Sequence, residues 1–345
     1  MEPVFFKRNR VGRIYQGGRL FHGFFGDPLK DGLEPEEWIA STVRALNQPQ
    51  RDPHEGISIL EGSDVLFTDF LAAHATEALG DRHEFGVLIK VLDSSIRLPV
   101  QAHPDKAFAK RHFGSEHGKT EMWIVLATRE NAHIHFGFRE RVTQGQFIEA
   151  IDASERDTEA MSRLLNEVPA RVGDVYLIPA RTVHAIGAGC LILEVQEPTD
   201  FTIAPEAWCG DHRLTEKDMY LGLGREAALE CIDFEGPVGD RALDAGRRTP
   251  KVFIEDGGVR AERLIGPEDT PDFAVNRYRL QAASLPLEGK PGVYVVTGGS
   301  GVIACGGKER PIGKGTYFFL PAAAPETVVQ NATELEIVEC LPPNP

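Results

Sequence analysis

The sequence predicts a mainly β fold arranged as two related barrels, and three observations lead to that prediction. The chain has 345 residues with 35 Gly and 23 Pro, a content that favours many short strands joined by turns over long helices. Apolar runs of strand length recur along the chain. A spaced glycine–proline pattern also occurs twice, once in each half. The length fits one large domain or two domains of ordinary size.

The first part of the chain is predicted to mix loops, short strands and at least one helix. A helix is expected over 68–79, where apolar residues recur at helical spacing behind a Thr-Asp pair that could cap its start. Buried strands are expected over 85–91 and 98–102, and a short helix with a basic face over 104–113.

The middle of the chain continues the sheet and interrupts it once. Strands are predicted over 121–126 and 134–138, where apolar residues dominate. The polar, helix-like pattern of 143–166 indicates two helices packed outside the barrel. Strands resume over 172–178 and 190–196.

The repeated pattern has the form Gly, five residues, Pro, four residues and then a polar side chain. It runs from Gly173 to His184 in the first half and from Gly315 to Glu326 in the second. The frame resembles the second conserved motif of cupin β-barrels, where the turn aims the last residue into the barrel mouth. Two cupin-like barrels of the jelly-roll type, with a small helical portion, are therefore expected.

These patterns predict how the chain divides. Residues 1–215 are expected to form the N-terminal barrel, which carries the metal site and a helical insert at about 140–167. Residues 216–345 are expected to form a C-terminal barrel without metal ligands, because its repeat ends in a glutamate and no histidine precedes it.

Composition excludes several classes of protein. The net charge is −15 and no Lys/Arg cluster stands out, so neither nucleic acid nor an anionic membrane is an expected partner. No run of about 18 apolar residues predicts a membrane span, and the N-terminus lacks the continuous apolar stretch of a signal peptide. Five scattered cysteines without a CxxC pair indicate reduced thiols in the cytoplasm. A monomer or homodimer that binds a small molecule is expected.

Four polar residues have the side chains and spacing of a metal site. Gln101 and His103 alternate within an apolar run, so both would point to one face of a strand. Glu121 and His184 could add one carboxylate oxygen and one imidazole. Two nitrogen and two oxygen ligands suit zinc, with Fe(II), Mn(II) or Co(II) as other candidates.

The motifs around these residues resemble those of class I phosphomannose isomerases, within the cupin superfamily. The resemblance covers most of the chain and is strongest over 98–200, in four stretches: Gln101-x-His103-Pro104, Gly118-Lys119-Thr120-Glu121-Met122-Trp123, Gly173-Asp174 through His184-Ala185-Ile186-Gly187, and Glu194-Val195-Gln196 through Asp200. The chain length is similar to that of the compact bacterial members.

The resemblance implies a function and assigns residues to it. It implies that Gln101, His103, Glu121 and His184 are the metal ligands. It further implies that Lys119 lines the substrate site and that Glu194 is a proton carrier. The implied reaction interconverts mannose 6-phosphate and fructose 6-phosphate through a cis-enediol.

General chemistry makes these implied roles reasonable. A lysine cation can stabilise charge on a sugar oxygen, and a carboxylate with a pKa nearer neutrality can carry the proton between C1 and C2. On an extended strand Glu194 would share a face with Ile192 and Gln196, and its apolar neighbours would face the other way.

Two positions depart from the family pattern, and both concern the phosphate. Ala204 stands where the family has an arginine, and Pro99 stands where it has a serine. Arg181, near the end of the first repeat, is a candidate substrate-binding replacement, and a solvent-facing loop arginine is the alternative. The substrate could therefore be a non-phosphorylated sugar or a polyol ketone. A non-catalytic sugar-binding cupin is a further alternative, as is a cupin oxygenase or epimerase.

His133 and His135 form a separate H-x-H pair that would place both rings on one strand face. No partner glutamate or histidine follows at a helpful spacing within the family-like frame. We therefore expect a hydrogen-bonded or exposed pair here and not a second metal site.

Overall fold

Two large antiparallel sheets, a three-stranded sheet and a two-stranded sheet form the framework of the described chain. The structure is a computed structural model, and it describes residues 1–47 and 52–343. Within these residues the strands are, in chain order, β1 Val4–Phe5, β2 Arg10–Val11, β3 Glu36–Ile39, β4 Leu88–Ser94, β5 Glu121–Thr128, β6 His133–Phe138, β7 Leu165–Pro169, β8 Val175–Ile178, β9 His184–Ile186, β10 Cys190–Gln196, β11 Trp208–Cys209, β12 His212–Arg213, β13 Arg247–Arg248, β14 Lys251–Asp256, β15 Val259–Ile265, β16 Ala274–Leu280, β17 Leu285–Leu287, β18 Gly292–Cys305, β19 Lys308–Gly313, β20 Tyr317–Leu320 and β21 Thr327–Leu341.

The helices are short and lie between the strands. They are α1 Phe21–Phe25, α2 Phe67–Ala73, α3 Ala75–Leu79, α4 Lys106–Phe113, α5 Gln144–Ser154, α6 Glu216–Tyr220, α7 Arg225–Leu229 and α8 Asp240–Gly246, with one 3₁₀ turn at Ser162–Leu164. None of the helices in the described ranges is long and apolar enough to cross a membrane.

The first barrel combines a seven-stranded sheet with the three-stranded sheet. Within the described chain the large sheet has the order β13-β8-β5-β10-β4-β3-β2, and the small one has the order β7-β6-β9. One apolar core joins them, with Trp123 and Ile192 from the large sheet and Ile134 and Phe136 from the small sheet.

The two faces of strand β10 have different surroundings. Every residue of this strand is buried. Ile192 belongs to the core of the first barrel, and Glu194, two residues on, points to the same side. Leu191 and Leu193 face the other way and pack in a second core shared with the C-terminal sheet. The alternation predicted for this strand is what the structure contains.

The second barrel is built on two long strands, β18 and β21, that bend along their length. Their pairing shifts register at Gly298 and again near Ser300, and such bulges bend a strand. The first part of β18 pairs with β20, and the last part pairs with β19. A third core, which includes Val296, Ile303 and Leu335, fills this barrel.

The two copies of the repeat occupy matching places in the two sheets. Gly173 has φ of 92° and Gly315 has φ of 83°, a backbone region in which glycine is favoured. Each glycine lies two residues before a buried strand, β8 or β20, that ends at a proline. The repeat therefore marks the same turn and strand in both barrels.

Three predicted elements differ from the structure. The helix expected over 68–79 is two helices, because the backbone leaves helical geometry at His74, and Leu66 rather than the Thr-Asp pair precedes the first turn. The strand expected over 98–102 makes only isolated bridges. Pro99 has no N–H to donate, and the N–H of Val100 donates to the Glu206 carboxylate.

The region expected to hold two helices holds one. Thr143 and Gln146 cap α5 with reciprocal hydrogen bonds. Beyond its end, the side chain of Asp157 accepts from the N–H of Glu159, a local bond that competes with helix formation. The chain then makes the 3₁₀ turn and enters β7.

The division at residue 216 stays a prediction, although the described contacts place the change of barrel further along. Met219 and Leu229, from the helices that follow residue 216, are buried in the core of the first barrel. Strand β13 also pairs with β8 of the first sheet. Near the start of the chain, β1 pairs with β20 of the second large sheet. All five cysteines lie in the described chain, buried and with free thiols.

Candidate metal centre and active site

Two histidines direct their Nε2 atoms towards a common point inside the first barrel. The Nδ1 of His103 lies 2.9 Å from the carbonyl of Phe201, and the Nδ1 of His184 lies 2.8 Å from the carbonyl of Thr182. A carbonyl only accepts, so each Nδ1 carries the proton and each Nε2 keeps its lone pair. This is the tautomer of a metal-ligating histidine.

The carboxylate of Glu121 lies between the two rings. Its Oε2 is 3.2 Å from the Nε2 of His103, and its Oε1 is 3.3 Å from the Nε2 of His184. Glu121 is fully buried, and neither oxygen receives a well-aligned hydrogen bond. A buried carboxylate without donors is costly unless a cation is present.

The amide of Gln101 completes the group, with its Nε2 3.3 Å from the Nε2 of His184. Rotation of the amide by half a turn would bring its oxygen to the same place, since the two ends are similar in shape. The structure therefore brings the four residues predicted as ligands together. We refer to Gln101, His103, Glu121 and His184 as the metal cluster.

Backbone hydrogen bonds hold the cluster in place. Gln101 and His184 exchange two main-chain bonds of 2.9 Å. The carbonyl of His103 accepts from the N–H of Arg181 at 2.7 Å. Glu121 is the first residue of β5 and His184 the first of β9, so both project from strand ends.

Lys119 is buried beside the cluster. Its Nζ donates to the Nε2 of His103 at 3.0 Å and lies 3.2 Å from Oε2 of Glu121. Burial opposes ionisation of Glu121, but the charge of Lys119 outweighs burial and holds the pKa of Glu121 well below the usual value. Burial and the Lys119 charge lower the pKa of His103 to about 3, so this imidazole is neutral at pH 7.

Glu194 faces the same interior from β10. Its Oε2 accepts from the indole N–H of Trp123 at 3.1 Å, and its Oε1 lies 3.3 Å from the Nζ of Lys90. Burial and the charge of Glu121 raise the pKa of Glu194, and Lys90 offsets part of that rise. A carboxyl whose pKa is raised towards neutrality is suited to accept and return a proton.

A buried ionic network that the sequence analysis missed lies on the far side of Glu194. Lys90 is 3.9 Å from both Glu36 and Asp200, and Arg13 is 2.9 Å from each of the same two carboxylates. A lysine inside the apolar run of β4 was the available signal for this network, because buried lysines are rare unless paired.

A cavity of about 400 Å³ opens above the metal cluster. Gln101, Lys119 and Glu194 form part of its wall, and apolar side chains such as Leu98 and Phe113 form another part. A mostly apolar cavity with a few convergent polar groups is typical of a small-molecule site.

The two departures from the family pattern both face this cavity. Ala204 and Pro99 are part of its wall. Besides Lys119, the cavity wall carries Arg13, Lys90 and Lys217. Arg13 and Lys90 are paired with Glu36, Asp200 and Glu194, as described above.

Arg181 is not among the residues that form the cavity wall in the described chain. Its guanidinium instead donates to the carbonyl of Glu230 at 3.3 Å and lies 3.8 Å from Asp105 on the surface. The position of Arg181 gives no support to its predicted role in binding substrate, and it fits the alternative of a solvent-facing loop arginine.

Comparisons with known proteins extend these observations. No family model matches the chain. A mannose-6-phosphate isomerase from Streptococcus mutans is 28% identical over 324 residues, which cover 93% of this chain and 92% of that protein. The chain resembles the mannose-6-phosphate isomerases over nearly its full length.

Solved structures of mannose-6-phosphate isomerases share the fold. The crystal structure of the enzyme from Bacillus subtilis matches with a TM-score of 0.76 at 23% identity, covering 98% of this chain and 99% of that one. A mannose 6-phosphate isomerase crystallised with zinc and yttrium matches with a TM-score of 0.72 at 16% identity over 100% of both chains. The predicted resemblance and the predicted fold class are confirmed.

Proposed function

We propose that the protein is a metal-dependent aldose–ketose isomerase that interconverts mannose 6-phosphate and fructose 6-phosphate through a cis-enediol. The observation that carries this proposal is that Gln101 of the metal cluster, Lys119 and Glu194 line one cavity. The full-length relatives support the enzyme class.

The metal cluster has the donors for one divalent cation. Two imidazole nitrogens with fixed tautomers, a buried carboxylate without a well-aligned hydrogen-bond donor and an amide fit zinc. Fe(II), Mn(II) or Co(II) would suit the same donors. When bound, such a cation would supply positive charge that polarises the oxygens of the sugar.

Glu194 is the residue proposed to carry the proton. Its carboxyl is buried, has a raised pKa and stands on the cavity wall. It would take the proton from one of the two carbons and return it to the other. The indole of Trp123 fixes one oxygen of this carboxyl, and the ammonium of Lys90 lies 3.3 Å from the other.

Lys119 is proposed to stabilise the negative charge that develops on a sugar oxygen. Its ammonium is buried, and a buried cation acts more strongly than one in water because the surroundings screen it less. The apolar part of the cavity wall would exclude water around the reacting carbons.

The residues of the cavity wall bear on whether the substrate carries a phosphate. Pro99 and Ala204 replace a hydroxyl and a guanidinium, the groups best suited to hold phosphate. Arg13 and Lys90 are already paired with carboxylates. These observations favour a second candidate, the same isomerisation of a non-phosphorylated sugar or a related polyol ketone.

The experiment that tests the proposal follows exchange of the C2 proton with solvent deuterium in metal-loaded protein. Mannose 6-phosphate and free mannose are compared, with Glu194→Gln as the inactive variant and Glu149→Gln, on an exposed face of α5, as the matched control. Exchange with mannose 6-phosphate that Glu194→Gln abolishes supports the proposal. Exchange with free mannose alone would favour a non-phosphorylated sugar as the substrate. Exchange with neither sugar overturns the isomerase proposal and favours a non-catalytic sugar-binding protein.

A further inference from the structure

His133 and His135 lie on β6, the central strand of the small sheet, away from the core of the first barrel. Ile134 and Phe136 of this strand are buried in that core, so the two histidines point to the opposite face. Their ring centroids are 5.1 Å apart.

His135 is neither exposed nor hydrogen-bonded, in contrast to what the sequence analysis expected. The residue is only 3% exposed, and both of its ring nitrogens are buried without a partner in the described structure. A buried imidazole with two unpaired nitrogens is unusual, because each unpaired polar group costs free energy. The arrangement calls for a ligand.

A third donor comes from the neighbouring strand. Glu167 on β7 is the direct partner of His135 in the antiparallel ladder. One donor atom from each of His133, His135 and Glu167 lies within 4.8 Å of the other two. This partner was missed because it is 32 residues from His135 in the sequence and becomes a neighbour only through the strand pairing.

His133 is already oriented for such a role. Its Nδ1 lies 3.1 Å from the carbonyl of Asn131, so that nitrogen carries the proton and Nε2 keeps its lone pair. Gly187 lies directly against His133, since a Cβ at that position would lie 2.1 Å from the carbonyl oxygen of His133 and 2.7 Å from its Cδ2.

We propose that His133, His135 and Glu167 form a second divalent-metal site on the face of the small sheet opposite the core, with zinc as the best match. Two imidazoles and one carboxylate are donors that zinc accepts, and water would complete the coordination. Ligand atoms around one tetrahedral zinc are about 3.3 Å apart, so small side-chain rotations would close the site.

The site would link β6 to β7 on the face opposite the core. Strand β6 also pairs with β9, where Phe136 is opposite His184 of the metal cluster. The second metal would therefore brace the strand beside a proposed catalytic ligand without touching the cavity. It would stabilise the folded protein by mass action.

The test is a titration of metal-free, full-length protein with Zn²⁺ against a chromophoric chelator, with the bound metal counted by elemental analysis. The wild type is expected to bind about two equivalents, and His133→Gln and Glu167→Gln about one each. Both substituted residues are at least partly exposed, so the fold should survive. His212→Gln, at an exposed histidine on another strand, is the matched control and should still bind about two.

A second readout separates this site from the metal cluster. In Glu121→Gln, one equivalent should remain and should still raise Tm, and adding Glu167→Gln should remove both effects. A wild type that binds one equivalent, lost with Glu121→Gln, would overturn the proposal. So would a second equivalent that persists in His133→Gln and Glu167→Gln.

Discussion

Trp123 and Glu194 are directly opposite each other in the β5–β10 ladder, and the indole N–H of Trp123 donates to Oε2 of Glu194 at 3.1 Å. Cross-strand partners project from the same face of a sheet, so this bond follows from the register of the two strands. The sheet thereby fixes the orientation of the proposed proton carrier.

Trp123→Phe should lower kcat by about tenfold with a smaller change in KM, because the carboxylate loses the donor that orients it. The aromatic ring is retained, so most of the packing remains. Steady-state kinetics measure the effect. Trp208→Phe removes an indole that donates to Glu155 outside the cavity and serves as the matched control. An unchanged kcat in Trp123→Phe would show that the bond does not position Glu194.

Glu194→Gln should reduce kcat by about 10²- to 10⁴-fold, the usual contribution of general acid–base catalysis. Metal content should stay at the wild-type level, since Glu194 is not part of the metal cluster. Kinetics and elemental analysis of the same preparation measure both quantities. Activity close to wild type would remove Glu194 from the mechanism.

The pH dependence of kcat/KM should report the raised pKa of Glu194. Activity should fall as pH falls through this pKa, at a higher pH than an ordinary glutamate, whose pKa is about 4.3. Lys90→Met removes a cation that favours the ionised form, so the acidic limb should move to still higher pH. Lys251→Met, on the exposed strand β14, is the control. An acidic limb that stays in place or moves to lower pH in Lys90→Met contradicts the assignment of this limb to Glu194.

The buried network of Arg13 and Lys90 should make the protein sensitive to acid. Burial opposes ionisation of Glu36 and Asp200, but Arg13 and Lys90 outweigh it and lower both pKa values. A lowered carboxyl pKa stabilises the fold above the pKa of the unfolded chain, and that stability is lost as pH falls through the folded value.

Arg13→Gln should cost about 3–5 kcal/mol of stability at pH 7, because it leaves buried carboxylates without their partner. Denaturant unfolding at several pH values measures the loss, which should shrink as pH falls. Arg213→Gln, at an exposed ion pair with Glu155, should have little effect. Equal losses in the two variants would show that the network adds no stability.

Ala204→Arg should move the substrate preference towards the phosphorylated sugar. A guanidinium on the cavity wall offers charge-assisted bonds to phosphate, and we expect the ratio of kcat/KM for mannose 6-phosphate over free mannose to rise by about tenfold. Ala204→Met adds similar bulk without charge and controls for it. A ratio that rises equally in both variants would assign the effect to shape.

Sequence motifs predicted the parts of the site that are local in the chain. The metal cluster was predictable because each ligand lies in a short motif, and the inward face of Glu194 followed from simple alternation along β10. The network of Arg13, Glu36 and Lys90 was not predictable from the sequence, because its members come from three strands or loops whose pairing no local pattern reveals.

Strand register limited the prediction elsewhere as well. Glu167 becomes a neighbour of His135 only in the folded sheet. The irregular segment at 98–102 depends on a side chain, Glu206, that is more than a hundred residues away. Periodicity predicts which face a residue takes, but it does not predict which residue lies across from it.

The shared core behind β10 has a consequence for how the two halves depend on each other. Leu193 and Val195 project from the rear of this strand and pack with Val293 and Val338 of the other barrel. The second barrel, which contains none of the predicted metal ligands, therefore supports the strand that carries Glu194. Truncating the chain after the first barrel would expose these apolar side chains to solvent. It would also loosen the strand that carries the proposed proton carrier.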